Sequence, residues 1–303
     1  MTADLPFRSG RSIASLLTAF AACFLVMGTI TSVRLHTCLK VMCFALAITC
    51  VATIVALQEP NLSSMIFRGS DRARGFFKNP NQFGMAISTL APVVLGYALT
   101  SRGRRTVWVC CYLLLMAGLI LSGSKMNILL TAATTGAMIV LIAYALNSGS
   151  RRVAMLSLGI LCYLLFIFVG TFMLSVFNPR ALLILNNFFA SSEVQSLQSR
   201  AALWELSIQQ FVANPVFGQG AGQPQSFFEG GHQITHSHNI FLDLIRTQGL
   251  PGLTGFLVFA TVTIVLSLGA VRLAVFSKDA NKQVRVETLG LAIGAMAYLL
   301  ANI

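Results

Sequence analysis

Residues 107–146 read VWVCCYLLLMAGLILSGSKMNILLTAATTGAMIVLIAYAL. A helix needs roughly 17–25 apolar residues to cross a ~30 Å hydrocarbon core. Two runs of that order, 107–122 and 126–146, stand back to back here, and neither contains Asp, Glu, Lys or Arg. Only the turn SGSKMN (122–127) separates them. Such a pair is a membrane hairpin.

Further uncharged apolar runs lie near 13–33, 41–57, 82–100, 153–177, 250–271 and 288–303. The 303 residues are 56% hydrophobic and 10% charged, whereas a soluble domain carries about 25% charged residues. The fold class expected is therefore all-α: a polytopic membrane bundle of about eight spans. Residues 1–177 form a six-span bundle, 178–249 one long outer helical loop, and 250–303 a two-span segment. Arg8 and Arg11 before the first run, with Ala19-Phe20-Ala21 inside it, also fit a cleaved signal peptide. Continuation of the run to Val33 favours a span. The seven cysteines (Cys23, Cys38, Cys43, Cys50, Cys110, Cys111, Cys162) lie in or beside spans. That is neither a disulfide framework nor a zinc-ribbon spacing, so they read as small apolar packers.

Loop charge sets the orientation. Arg102-Gly-Arg104-Arg105, Arg151-Arg152 and the Lys278/Lys282/Arg285 stretch mark three cytoplasmic loops, and the Arg34/Lys40 loop joins them. His36 beside Arg34 reads as interfacial. Residues 58–81, the SGSKMN turn and 178–249 then face outward, yet they carry Arg68, Arg72, Arg74, Lys78, Lys125, Arg180, Arg200 and Arg246. Acidic neighbours and anionic headgroups explain part of this. An anionic substrate at the outer boundary explains more, since arginine matches phosphate geometry well. The net charge of +12 suits an anionic partner without identifying it. No basic, aromatic-interleaved soluble domain is present, so nucleic acid is not expected.

Within 178–249, Leu197, Ala201, Trp204, Ile208 and Phe211 step by four and three along one helical face. Arg200 flanks that face, and Asn214-Pro215 stops the helix. Gly218, Gly220 and Gly222 follow; they suit either close backbone approach to a ligand or an ordinary flexible loop. Then comes HSHNIFLDLIRTQGLPG (236–252), with two of the four histidines before an apolar run.

Together these segments resemble the O-antigen ligase and polysaccharide polymerase superfamily of bacterial membrane glycosyltransferases, over roughly residues 66–255. His238-Asn239 followed after nine residues by Gly249-x-x-Gly252 looks like the ligase signature. RSRAALW…NPVFGQGAG resembles the family's Arg-x-x-x-Trp helix and Pro-x-x-Gly-x-Gly turn. RARGFFKNPNQFG is similar to its Asn-Pro-Asn loop, and SGSKMN stands where Ser-x-Ser-Arg or Ser-x-Ser-Lys is usual. The resemblance implies transfer of a glycan from undecaprenyl diphosphate to a hydroxyl acceptor at the outer leaflet of the bacterial inner membrane, without metal or nucleotide cofactor. The acceptor is lipid A–core in ligases, a glycan in polymerases and Ser or Thr of a protein in oligosaccharyltransferases. Two spans before the Asn-Pro-Asn loop, and little chain after the His motif, make the sequence look shortened against this pattern. Lys125 in place of arginine leans towards the polymerase branch.

On this reading His238 is the general base, suited by a pKa near neutrality, and Arg200 acts catalytically beside it. Arg74, Arg72, Lys125, Arg246 and Asn239 hold the substrate. Asp243 could instead be a structural partner of Arg246 at i,i+3. A zinc site from His232, His236, His238 and Glu229 is a weaker alternative, since the spacing matches no helical metal motif. An anion or lipid-linked glycan transporter is disfavoured by spans bare of ionisable residues. A non-catalytic scaffold of polysaccharide export is the third reading.

Overall fold

The structure, a computed structural model, describes residues 31–67, 72–101, 103–146, 193–220, 228–229, 232–233, 239–277 and 281–301, with isolated helical positions between 153 and 159. The helices are α1 (Ser32–Val55), α2 (Pro60–Ile66), α3 (Pro80–Thr100), α4 (Arg105–Ser122), α5 (Lys125–Leu146), α6 (Glu193–Ala213), α7 (Ile240–Phe276) and α8 (Lys282–Ala301). A two-residue antiparallel pair joins β1 (Phe228–Glu229) to β2 (His232–Gln233). Among the described residues, six helices (α1, α3, α4, α5, α7 and α8) are long and apolar enough to cross a membrane. The chain is a polytopic helical membrane protein. The expected spans at 13–33 and 153–177 fall almost wholly outside the described residues.

The chain divides into two compact units, one of residues 39–190 with 263–301, the other around 191–262. In the first, α1, α3 and α4 share a core of Cys43, Cys50, Phe83, Ile87, Tyr97, Trp108 and Leu115. Gly118 of α4 faces Cys50 of α1, whose Sγ would lie 2.5 Å from an added Cβ. A Cβ at Gly290 would meet the Pro92 carbonyl oxygen at 2.8 Å, and one at Gly294 the Thr89 carbonyl oxygen at 2.6 Å. This is a small-xxx-small seam between α8 and α3, where packing rather than the hydrophobic effect holds helices together in lipid.

Two charge assignments change. The Arg34/Lys40 segment is not a loop but part of α1. Lys40 is carried on the helix, its Nζ 5.4 Å from the centre of the Tyr97 ring. Helical bonding needs no apolar side chain, and an interfacial lysine can snorkel. Arg285, expected in a cytoplasmic loop, lies in α8 with 9% exposure. Its Nε donates to the Ala274 carbonyl at 2.6 Å and its Nη2 to those of Val275 and Ala145, each at 2.8 Å. These carbonyls belong to the last turns of α7 and α5, which have no intrahelical donor. The guanidinium is a shared C-terminal cap.

In the second unit, α6 does form where the periodicity predicts it. Its buried side is Leu203 and Ser207, however, while Trp204 and Ile208 are 40% and 49% exposed.

Candidate functional site

The sequence-selected residues fall into two groups, one in each unit. Arg72, Arg74 and Lys125 belong to the first, at the end where α4 finishes and α3 and α5 begin. Each local bond there explains a motif residue. Asn79 caps α3, its Oδ1 accepting from Gln82 N at 2.8 Å, with Pro80 in the first turn. Arg72 donates from Nε to the Ser122 carbonyl at 2.9 Å and from Nη2 to Asn81 Oδ1 at 2.7 Å. Ala73 N bonds the Leu121 carbonyl at 2.9 Å. Gly75 has φ 55°, and a Cβ there would sit 2.7 Å from Thr49 Cγ2, so glycine is required.

SGSKMN closes the same end. Gly123 takes the left-handed conformation that terminates α4. Buried Asn127 donates to Ser124 Oγ at 2.8 Å and to the Asn81 carbonyl at 3.2 Å, tying the starts of α3 and α5 together. Ser88 Oγ donates to the Asn127 carbonyl at 3.1 Å, and Thr131 Oγ1 donates to Ser88 Oγ at 2.9 Å. Asn81, Ser88, Asn127 and Thr131 were not among the residues selected from sequence. Asn81 and Asn127 stood in the quoted Asn-Pro-Asn and SGSKMN motifs without a role, and Ser88 and Thr131 offered no signal beyond a hydroxyl in an apolar run.

This end concentrates positive charge. Arg72, Arg74, Lys78 and Lys125 lie in segments 72–82 and 122–128, which contain no Asp or Glu. Neither α3 nor α5 has an acidic residue in its first turn, so two positive helix-dipole ends add to four cations. Burial lowers the pKa of the Arg72 guanidinium, because desolvation disfavours the charged form; arginine nonetheless remains charged. Arg74 uses Nε and Nη2 on a single acceptor, the Met65 carbonyl, at 3.1 and 2.8 Å. Three of its five N–H donors lie outside those two bonds. It lines an open cleft of about 490 Å³ with Ser64, Met65, Phe76, Phe77 and Lys78. The cleft is cationic and apolar at once.

The second group is Arg200, His238, Asn239 and Arg246. Arg200 lies on α6, but its side chain and all of His238 lie outside the described residues, as do the side chains of the alternative zinc set. Asn239, next to His238 in sequence, is the N-cap of α7: its Oδ1 accepts from Phe241 N at 3.0 Å and Leu242 N at 3.2 Å. Arg246 is 2% exposed, its Nη2 3.6 Å from Asp243 Oδ1. It lies within the unit rather than on its surface, beside the partner expected at i,i+3.

The glycine motifs of this unit prove to be one object. Gly218 and Gly220 have φ of 65° and 97°. The turn they form donates from Gln219 N to the Arg246 carbonyl at 2.7 Å and from Gly220 N to the Thr247 carbonyl at 3.0 Å. Leu250 N answers by donating to the Pro215 carbonyl at 3.0 Å. Gly249 sits at φ 65°, ψ −154°, a region open essentially to glycine alone, and a Cβ there would collide with the Val216 carbonyl. The turn is neither a loose loop nor a free N–H cradle. It is a clasp that sets the kink in α7 between Asn239 and the apolar run.

Comparison with known proteins gives a family match but no individual relative: no curated protein and no solved structure matches the chain. A family model described as O-Antigen ligase matches residues 110–257. The match contains SGSKMN, α6, the clasp and the His-Asn motif, and begins after Arg72 and Arg74. Over residues 110–257, just under half of its length, the chain is similar to the O-antigen ligase family.

Proposed function

We propose that this protein transfers a glycan from an undecaprenyl-diphosphate carrier to a hydroxyl acceptor at the outer leaflet of a bacterial inner membrane, without a metal ion. The observation that carries the reading is the end of the first unit where four cations stand beside two helix starts, in a chain that matches the O-antigen ligase family model over residues 110–257. In the transfer, the acceptor oxygen bonds to the anomeric carbon as the bond from that carbon to the diphosphate oxygen breaks. The leaving diphosphate takes the electron pair, and the acceptor's proton passes to His238. Charge developing on the diphosphate is what preorganised cations stabilise best, a role for Arg74, Arg72, Lys125 and Arg200. Asn239 and Arg246 serve from behind, the first by starting α7 next to His238 and the second by supporting the clasp. Lipid A–core or another glycan repeat supplies the acceptor hydroxyl.

Arg74→Lys tests the reading with the charge kept and the fork lost. In vesicles supplied with undecaprenyl-diphosphate-linked glycan, transfer falls roughly tenfold or more, while Arg180→Lys retains the wild-type rate. Equal, unimpaired transfer in both would reduce the arginines to headgroup contacts and overturn the proposal.

A further inference from the structure

Among its described residues, the second unit exposes a continuous apolar surface. Along α6, Trp204, Ile208 and Val212 stand at four-residue steps and are 40%, 49% and 69% exposed. Successive members drift only about 40° around the helix, so they form one stripe. Exposed Glu205 and Gln209, hydrogen-bonded at 3.4 Å, border it on one side, and buried Leu203 and Ser207 lie on the other. The apolar surface continues past the end of α6 into the clasp, where Val216 and Phe217 are 54% and 79% exposed. A phenylalanine that open at a tightly bonded turn needs an occupant.

The clasp fixes the depth of those side chains. Leu250 is the first residue of the apolar part of α7, and its N–H holds the Pro215 carbonyl at 3.0 Å. Val216 and Phe217 therefore sit at the level where α7 becomes membrane-grade. From there α7 exposes Leu250, Leu257, Val258, Phe259 and Val262, the lipid-facing residues of a span. The exposed surface of the turn is continuous with that span.

We infer that α6 lies in the plane of the lipid leaflet at which α7 enters the bilayer. Trp204, Ile208, Val212, Val216 and Phe217 are sunk into the headgroup–acyl boundary, with Glu205 and Gln209 towards water. Amphipathic interfacial helices bury their apolar face in this way, about 5–10 Å deep, and tryptophan favours that boundary. A helix standing along the membrane normal would instead lift Trp204 roughly 15 Å above the clasp, at 1.5 Å per residue. The surface is a lipid seat.

The chain's two tryptophans, Trp108 and Trp204, make this measurable. Trp108 is buried at 3%, so the Trp108→Phe protein reports on Trp204 alone. Should that variant fail to fold, subtracting the emission of Trp204→Phe from that of the unmodified chain gives the same signal. The whole protein is reconstituted in phosphatidylethanolamine–phosphatidylglycerol vesicles containing lipids brominated either just below the carbonyls or near the chain ends. Trp204 emission should fall by roughly half with the shallow label and much less with the deep one, as expected for a ring at the interfacial depth. Aqueous iodide should quench it weakly. Strong iodide quenching without lipid quenching would place the stripe in water and overturn the inference. Quenching by neither reagent would mean that protein covers the stripe, which overturns it equally.

Discussion

Replacing Gly249 by alanine should open the clasp while leaving the spans intact. The added Cβ meets the Val216 carbonyl too closely to be accommodated, and the Pro215 carbonyl oxygen lies only 2.7 Å away. The backbone also holds φ 65° and ψ −154°, which costs an L-residue about 1–3 kcal/mol. The cheapest relief is withdrawal of residues 215–220. That gives up three bonds: Gln219 to Arg246, Gly220 to Thr247, and Leu250 to Pro215. At about 0.5–1.5 kcal/mol net for each, the loss is near 3 kcal/mol, or roughly a hundredfold in local opening. Hydrogen exchange read by mass spectrometry on peptides containing Gln219, Gly220 and Leu250 measures it directly. Their protection should fall by about two orders of magnitude, with peptides from α3 and α8 unchanged. Gly255→Ala is the matched control, because a Cβ there has nothing within 4 Å. Unchanged protection in Gly249→Ala, or equal loss in Gly255→Ala, would refute the claim that the two glycine motifs are mutually dependent.

Three further outcomes are expected. Arg285→Lys keeps a cation but cannot span the ends of α5 and α7; losing charge-assisted bonds worth about 1.5–3 kcal/mol each should lower the thermal midpoint in detergent, and an unchanged midpoint would contradict the shared cap. Asn127→Ala leaves the Asn81 carbonyl and Ser124 without their donor, costing about 1–3 kcal/mol, and should raise the substrate KM more than it lowers kcat because it acts by positioning Arg72. His238→Ala should cut transfer by ~10²–10⁴ while binding of lipid diphosphate persists; His232→Ala, His236→Ala and chelators should have little effect, and equal loss at all three histidines with chelator sensitivity would point to a metal.

The spans were legible because a run of apolar residues has few alternatives to a helix in lipid, and their limits at 82–100, 107–122 and 126–146 lie within a few residues of α3, α4 and α5. Arg285 was not legible. Its partners are carbonyls 10 to 140 residues away, and a sequence does not display backbone acceptors. The periodicity located α6, while the exposure of Trp204 and Ile208 was not legible, because hydrophobic spacing marks a face without saying what covers it. Asn239 was expected to hold the substrate, and the structure shows its Oδ1 capping α7; a cap acts on the next turn, so it could have been read from the residues that follow. The Gly218–Gly249 contact joins positions 31 apart and left only two short glycine patterns, each unremarkable by itself.

The clasp also changes what length means for the segment it encloses. Gln219 and Gly220 bond to Arg246 and Thr247, so the stretch of chain between them has its ends pinned irrespective of its contents. For such a loop, each doubling of length adds only about 0.6 kcal/mol of closure entropy. Insertions placed before His238 thus add little closure cost, whereas a single residue added between Asn239 and Gly249 would rotate the cap by about 100° against the kink. Variation is cheap on one side of His238 and forbidden on the other.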